Sequence, residues 1–314
     1  MADFTHLNRG FETTFKVGDL TLGLVVPMEN YPIGGHPRME GHLEKAQLAE
    51  SLGFRALWLR DVPFEVPNFG DVGQTFDPFV YLGALSIATK DIALGVASLI
   101  LPLRHPAHVA KAAASVDVLS GGRLVLGVAS GDRPEEYPAM GIDYHDRGAA
   151  FRDCFDYIRA LAGDFPQHQS SFGALSGGVN ILPKPTGARI PMLITGGSWQ
   201  DPEWVAEHSD GWITYPRDVG SQAAVVQAYR ERASAYQDAP KPVMQSLYVD
   251  VMDDADARPR SIHLGFQSGT TFLLQYLQQL KQVGVNHVAI NLRLNRAGIE
   301  DTMKRLSDDV IAHL

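Results

Sequence analysis

Short, densely apolar runs alternate along this chain with longer stretches in which apolar residues return every third or fourth position. Leu20 to Val26 is the first run, stopped by Pro27. After a loop from Met28 to Pro37 that holds Gly34-Gly35, Met39, Leu43, Ala46, Ala49 and Leu52 recur at spacings of 4, 3, 3 and 3. That spacing lines one face of a helix. Gly53 follows as a C-terminal stop, and Ala56 to Leu59 is a second strand ending in Arg60-Asp61. A long loop to Thr75 leads to Asp77-Pro78, an N-cap with proline at the first helical position, and a helix to about Thr89.

The alternation continues. Ile92 to Leu101 is a third strand, apolar on both faces, as a buried parallel strand should be. Val109, Ala112, Val116 and Leu119 predict one face of the next helix, closed by Gly121-Gly122. Leu124 to Ala129 is the fourth strand, followed by a helix from about Ala149 to Leu161. Strands are expected again at Met192–Thr195, Trp212–Tyr215, Val243–Met252 and His287–Leu292. Asp201-Pro202 starts one intervening helix; the others fall near Gln222–Tyr236, Phe272–Val283 and Ile299–Ile311. Met1 to Lys16 reads as an arm, 164–190 as an aperiodic insertion, and Arg258 to Gly269 as a loop excursion.

Eight strand–helix pairs in strict alternation predict an α/β fold with a parallel sheet, and eight closes a (β/α)8 TIM barrel. The rival is an open doubly wound sheet, which would place a glycine-rich fingerprint after its first strand. Val26-Pro27-Met28-Glu29 stands there instead. The reading is a single barrel domain over residues 1–314, with inserted loops at the carboxyl ends of the strands.

Composition narrows the function classes. The 314 residues are 45% hydrophobic and 20% charged, enough for a large core. A net charge of −9 without a basic run fits neither nucleic acid nor an anionic membrane. The longest apolar run, Ile92 to Leu103, is too short to span a bilayer, and the polar start Met1 to Phe11 lacks a signal-peptide core. The single cysteine, Cys154, allows no internal disulfide and reads as a helix residue. Cytoplasm is the expected compartment.

No zinc motif, no G-x-S-x-G elbow and no Walker sequence occurs. His105 and His108 lack a carboxylate in ligand register, so no metal site is expected, and His105 reads as a helix-start residue. A cofactor-sized barrel without its own nucleophile suggests that a bound cofactor does the hard step. Ser130-Gly131, at the end of the fourth strand, lets a ligand approach the backbone; an ordinary tight turn is the alternative. Thr195-Gly196-Gly197-Ser198, before the helix capped by Asp201, is the best anion site, on loop amides and the helix start. A tight strand–helix turn is again the alternative. Asp61 could serve as a base, as a substrate-orienting group, or in a salt bridge with Arg60 or another cation of the mouth.

Taken as a set, Asp77-Pro78-Phe79-Val80, Leu101-Pro102-Leu103-Arg104-His105-Pro106, Asp117 to Leu124, Gly127 to Gly131, Met140 to Asp143, Arg147-Gly148 and Pro191 to Gly211 resemble the bacterial-luciferase-like flavin monooxygenase superfamily. The resemblance is clear from Leu20 to Tyr215 and looser beyond. It implies a TIM barrel holding FMN, or a deazaflavin in a sister branch, at the carboxyl end. It implies use of reduced FMN, supplied by a separate reductase, with O2 on a small organic substrate, and often a homodimer. It implies a non-proline cis peptide at Ala97–Ser98 under the ring, with Ala97 and Ser98 as cofactor contacts. The matched phosphate positions are Ser130 and Gly131, then Gly196, Gly197 and Ser198, with Thr195, Arg133 and Tyr137 as further candidates. Luciferase proper has arginine where Ser130 stands and a histidine where Arg60-Asp61-Val62 lies, so light emission is not implied. Asp61 remains as the candidate catalytic residue. The rivals are a deazaflavin-dependent hydride-transfer enzyme and a non-catalytic flavin-binding barrel.

Overall fold

The computed structural model describes residues 3–32, 35–69 and 71–314. Gly34, in the first predicted glycine pair, lies outside the described residues. The strands are β1 (Thr21–Val25), β2 (Ala56–Leu59), β3 (Ala93–Ile100), β4 (Leu124–Ala129), β5 (Gln167–Ser170), β6 (Gly173–Ser176), β7 (Met192–Thr195), β8 (Gly211–Thr214), β9 (Val243–Val251), β10 (Arg260–Ile262), β11 (Gly265–Ser268) and β12 (His287–Asn291). Eight of them run parallel in the order β12-β1-β2-β3-β4-β7-β8-β9. Pairing of His287 with Met244 then joins β12 to β9 and closes the barrel. The predicted TIM barrel is therefore the fold.

The barrel separates its side chains by the period of two. Val25, Ala56, Trp58, Ala93, Val125, Leu193, Ile213, Met244 and Ala289 pack together inside it. Their sequence neighbours, such as Leu57, Leu94, Leu126 and Ile194, face the helices. Two glycines make the lumen possible. A Cβ on Gly95 would stand 2.5 Å from the Trp58 ring, and one on Gly127 would stand 2.5 Å from Ile213 Cδ1 and 2.6 Å from the Val96 carbonyl.

The helices are α1 (Arg9–Thr14), α2 (His42–Ser51), α3 (Pro78–Ala88), α4 (Pro106–Leu119), α5 (Glu136–Ala139), α6 (Arg147–Ala160), α7 (Pro202–His208), α8 (Val219–Ala233), α9 (Thr270–Gln282) and α10 (Ile299–Asp309). The expected N-terminal arm is instead the floor of the barrel. Phe4, Leu7, Phe11 and Phe15 join the interior cluster. Asn8 caps α1 and donates to the Leu124 carbonyl, at the start of β4, at 2.7 Å. Apolar spacing alone does not show that a short N-terminal helix will plug a barrel. On α4 the expected face also shifts. Val109, Ala113 and Val116 are buried, but Leu119 is exposed because Asp117 takes the inward position at the helix end. Asp117 accepts from Asn8 at 2.9 Å and from the Thr186 amide at 2.7 Å.

Both excursions contain hairpins. β5 and β6 pair antiparallel within the 164–190 insertion. β10 and β11 pair antiparallel, and β11 extends the upper part of β9 from Tyr248 to Val251. Beneath the mouth, His287 sets a directional chain. Trp58 Nε1–H donates to His287 Nε2 at 2.8 Å. An indole nitrogen can only donate, so the imidazole proton sits on Nδ1 and points to Thr21 Oγ1, 2.7 Å away. Thr21 then donates to the Thr14 carbonyl at 2.6 Å. Burial holds the His287 pKa down to about 3.

Candidate active site

The carboxyl ends of β3, β4 and β7 form one side of the mouth. The Ala97–Ser98 peptide is cis, and the β3–β4 register shifts between Val96 and Leu99. The Ser98 hydroxyl bonds the Thr195 hydroxyl across β4. Beside them Gly131 takes φ 80°, and a Cβ there would stand 2.8 Å from the Tyr137 hydroxyl and 2.8 Å from Ile100 Cγ2. Tyr137 is buried, and its hydroxyl donates to the Ser130 carbonyl, pinning the turn after β4.

The loop after β7 turns through left-handed backbone at Gly196, Ser198 and Trp199, with φ of 55°, 44° and 60°. Positive φ at a serine and a tryptophan is uncommon and marks a backbone held by its surroundings. The Gly196 amide donates to the Ile213 carbonyl at 2.8 Å, and the Ser198 hydroxyl to the Thr195 carbonyl at 2.8 Å. Among the described residues, the amides of Gly197, Ser198 and Trp199 have no acceptor. The helix that follows, α7, has seven residues, and Asp201 makes no side-chain cap bond to it. The donors here are loop amides, not a strong helix end.

Arg147 completes this side. It opens α6, is buried, and lies between the Tyr144 ring at 3.6 Å and the Trp199 ring at 4.0 Å. Its Nη1 donates to the Tyr144 carbonyl at 2.6 Å, while its buried Nε has no partner among the described residues. Gly148 lets Trp199 approach, since a Cβ there would stand 2.9 Å from Trp199 Cβ. The β4 and β7 loops are thus tied together around a buried guanidinium with one unmet donor. Arg147 stands in the motif Arg147-Gly148, but sequence gave it no role.

The other side of the mouth is charged. Asp71, on the loop between β2 and α3, receives the Tyr31 hydroxyl at 2.8 Å, the Tyr248 hydroxyl at 3.2 Å and the Gly73 amide at 3.0 Å. Arg60 bonds it, and Arg293 Nη1 lies 3.3 Å away. Burial works against its charge, but Arg60, the Gly73 amide and Arg293 outweigh burial and hold the carboxyl below the usual range. Sequence reasoning missed Asp71, Tyr31 and Tyr248. Arg60 and Arg293 could be read as strand ends, but nothing local says that they meet.

Arg133, expected near phosphate, turns toward this charged side. Its Nη2 donates to the Asp71 carbonyl at 2.9 Å, and the guanidinium lies 4.1 Å over Phe69. Its Nη1 is 3.7 Å from Glu136 Oε1, and both atoms are buried without a hydrogen bond among the described residues. Burial pushes the Glu136 carboxyl up to about 7 despite Arg133.

Asp61 is engaged in an ion pair. Arg104 Nε donates to Oδ2 at 3.0 Å and Nη2 to Oδ1 at 2.6 Å, and the Ile100 amide donates to Oδ2 at 3.0 Å. Both oxygens are taken, and the side chain is 1% exposed. Of the roles open to Asp61, this geometry favours the ion pair, with Arg104 as partner; Arg60 goes to Asp71. Burial works against the Arg104 charge, and the bonds to Asp61 and Asp77 more than offset it. His105 caps α4, its Nδ1 accepting from the Ala107 amide at 3.3 Å. Burial pushes the Cys154 thiol up to about 12, which keeps it unreactive. Among the described residues no helix is long and apolar enough to cross a membrane.

With the barrel and its mouth defined, the class is that of a barrel oxidoreductase. Residues 20–314 match the model of the luciferase-like monooxygenase family, and the chain belongs to that family. An uncharacterized protein of Mycobacterium tuberculosis, Rv0953c, is 34% identical over 198 residues, covering 55% of this chain and 67% of that protein. The oxygenase component of a flavin-dependent trigonelline monooxygenase from Acinetobacter baylyi is 30% identical over 167 residues, covering 52% of this chain and 42% of that protein. The monooxygenase RslO1 of Streptomyces bottropensis shares the fold at a TM-score of 0.77 and 19% identity, covering 93% of this chain and 99% of that one. So does an F420-dependent secondary alcohol dehydrogenase, at 0.77 and 17%, covering 94% and 99%. The oxygenating constituent of 3,6-diketocamphane monooxygenase from Pseudomonas putida, in complex with FMN, aligns at 0.74 and 15%, covering 94% and 99%.

Proposed function

We propose that the chain is the oxygenase of a two-component system, a monooxygenase that takes reduced FMN from a separate reductase and uses O2 on a small organic substrate. The observation that carries this reading is the cradle between the β4 and β7 loops. It offers three unpaired amides at Gly197, Ser198 and Trp199 and a buried Arg147 with an unmet Nε–H. Loop amides without an acceptor among the described residues, beside a buried guanidinium, fit a phosphate; Ser198 is buried, while Gly197 and Trp199 are open to solvent. The flavin dependence of the similar trigonelline monooxygenase and the FMN complex of the diketocamphane enzyme support a flavin and, for the latter, FMN.

Ser130, Gly131, Gly197, Ser198 and Arg147 would hold the phosphate end, and Ala97, Ser98 and Thr195 would lie against the ring. Bound reduced, the flavin supplies the electrons for activating dioxygen. The chain's own work is to fix the phosphate end on a rigid loop and to present the Ser98–Thr195 hydroxyl pair beside the small residues of β3 and β4. Asp71, on the loop between β2 and α3, is tied to the other side of the mouth through Arg60, Arg293, Tyr31 and Tyr248. Asp61 holds Arg104 and the end of β3 in place. The fold of the F420-dependent dehydrogenase favours a second reading, hydride transfer with a deazaflavin.

Titration with FMN, reduced FMN and a deazaflavin tests both. Micromolar binding of FMN, weakened about tenfold or more in Arg147→Met by loss of a charged hydrogen bond, is expected. Binding of the deazaflavin alone would transfer the assignment to hydride transfer, and binding of none would remove the flavin reading.

A further inference from the structure

On the charged side of the mouth, donors from several elements converge on one acceptor. Arg60 ends β2, Arg293 follows β12, Tyr248 lies on β9, and Tyr31 follows β1. All four reach one carboxylate, that of Asp71. The cations stand on or beside barrel strands. The anion stands on a loop whose regular structure is one 3-10 turn, Pro67–Phe69. Because Asp71 stands outside the sheet, displacing its carboxylate breaks no strand pairing. Three guanidiniums, Arg60, Arg133 and Arg293, gather here around Asp71, with Glu136 and Asp132 as further carboxylates beside Arg133. On the same loop, Phe64 and Phe69 leave their rings 40% and 41% exposed, apolar surface beside the donors.

We infer that Arg60 and Arg293, with the Tyr31 and Tyr248 hydroxyls, are the substrate-binding subsite for an organic carboxylate or sulfonate with an apolar body, and that Asp71 occupies this subsite until such an anion displaces it. The inference rests on the reading of the mouth as the active site and names its substrate class. Bidentate recognition of a planar carboxylate is what paired guanidiniums do well. An internal competitor lowers the apparent affinity by the fraction of molecules in which the subsite is free. Removing its charge should therefore tighten anion binding.

The test is calorimetric titration of the full chain with benzoate, benzenesulfonate and uncharged benzamide, with and without FMN. Wild type should bind both anions in preference to benzamide. Asp71→Asn should bind the anions about tenfold more tightly and benzamide no better. Arg293→Met alone removes one of the two cations that offset the buried Asp71 charge and can destabilise the protein, so the charge-matched double variant Asp71→Asn/Arg293→Met is used, and it should lose the gain. No preference for anions in either wild type or Asp71→Asn overturns the proposal, as does a gain that survives in the double variant. Benzoate and FMN should bind independently. Mutual exclusion would place the flavin phosphate on these arginines and overturn the substrate assignment. Failure of FMN to bind is scored separately, because the anion titrations without FMN are read on their own.

Discussion

Strands β2 and β12 furnish both the lower interior of the barrel and its mouth, and the two ends are built on opposite principles. Trp58 and His287 meet inside, in a neutral chain in which each proton has one place to go, from Trp58 through His287 and Thr21 to Thr14. Two residues beyond Trp58 stands Arg60, and beyond the end of β12 stands Arg293, both facing a loop carboxylate. The lower end is closed by Phe4, Leu7, Phe11 and Phe15. The Trp58–His287–Thr21 chain satisfies its polar groups inside the barrel, whereas near the mouth Arg133, Glu136 and Arg147 keep buried groups without partners among the described residues.

The largest effect should come from breaking the closed end. Trp58 is fully buried, and its indole donates to His287 Nε2 at 2.8 Å. Trp58→Ala leaves a cavity beneath Gly95 and an imidazole nitrogen without its partner. A loss of roughly 3–5 kcal/mol is expected, read as a shift in the urea midpoint. A shift comparable to that of an exposed substitution would show that the floor does not hold the barrel together.

The closed end was the more legible in sequence, and the reason is physical. Strands buried on both faces announce themselves as continuous apolar runs, so β2, β4 and β7 fall where Ala56–Leu59, Leu124–Ala129 and Met192–Thr195 predict them. The β4 and β7 loops were legible for a related reason. A backbone that must turn through positive φ or admit Tyr137 needs glycine at Gly131, which can be seen locally. The charged side was not legible. Tyr31, Arg60, Asp71, Tyr248 and Arg293 are distant in sequence and converge only because β12, β1 and β2 are neighbours. Asp61 stands out in sequence because it ends the second strand, where the resemblance places a histidine, and nothing local marks Asp71. The structure gives Asp61 to Arg104, and Asp71 gathers the donors. The N-terminal segment misled for the same reason: Phe4, Leu7, Phe11 and Phe15 become a plug only against residues far along the chain.

The next effect is the pH response of the closed end. His287 has its pKa held down to about 3 against an ordinary 6.5. Above 6.5 both folded and unfolded states carry it neutral, and stability is full. As pH falls from 6.5 toward 3 the unfolded chain takes a proton that the folded chain refuses. Stability should fall by up to about 1.4 kcal/mol per pH unit in that window. Urea midpoints at pH 7, 5.5 and 4.5, compared with those of His287→Gln, isolate the contribution. Equal slopes for the two proteins would mean that His287 protonates in place.

The mouth should respond with the opposite sign over a narrower window, which makes Glu136 the sharpest probe of the contrast. Its carboxyl is raised from an ordinary 4.5 to about 7 by burial. Below 4.5 both states hold the proton, and the contribution is fully present. As pH rises from 4.5 through 7 the unfolded chain releases a proton that the folded chain retains, so stability declines across that window. Arg133, 3.7 Å away, keeps the carboxyl from rising further, so the decline, up to about 1.4 kcal/mol per pH unit, is confined to the window between 4.5 and 7. Glu136→Gln keeps the shape and removes the titration. Its stability relative to wild type should therefore rise from pH 4.5 to 7 and level off above. A difference that does not change with pH would mean that Glu136 is ionised throughout, matched by Arg133, and that the mouth is as fully satisfied as the floor.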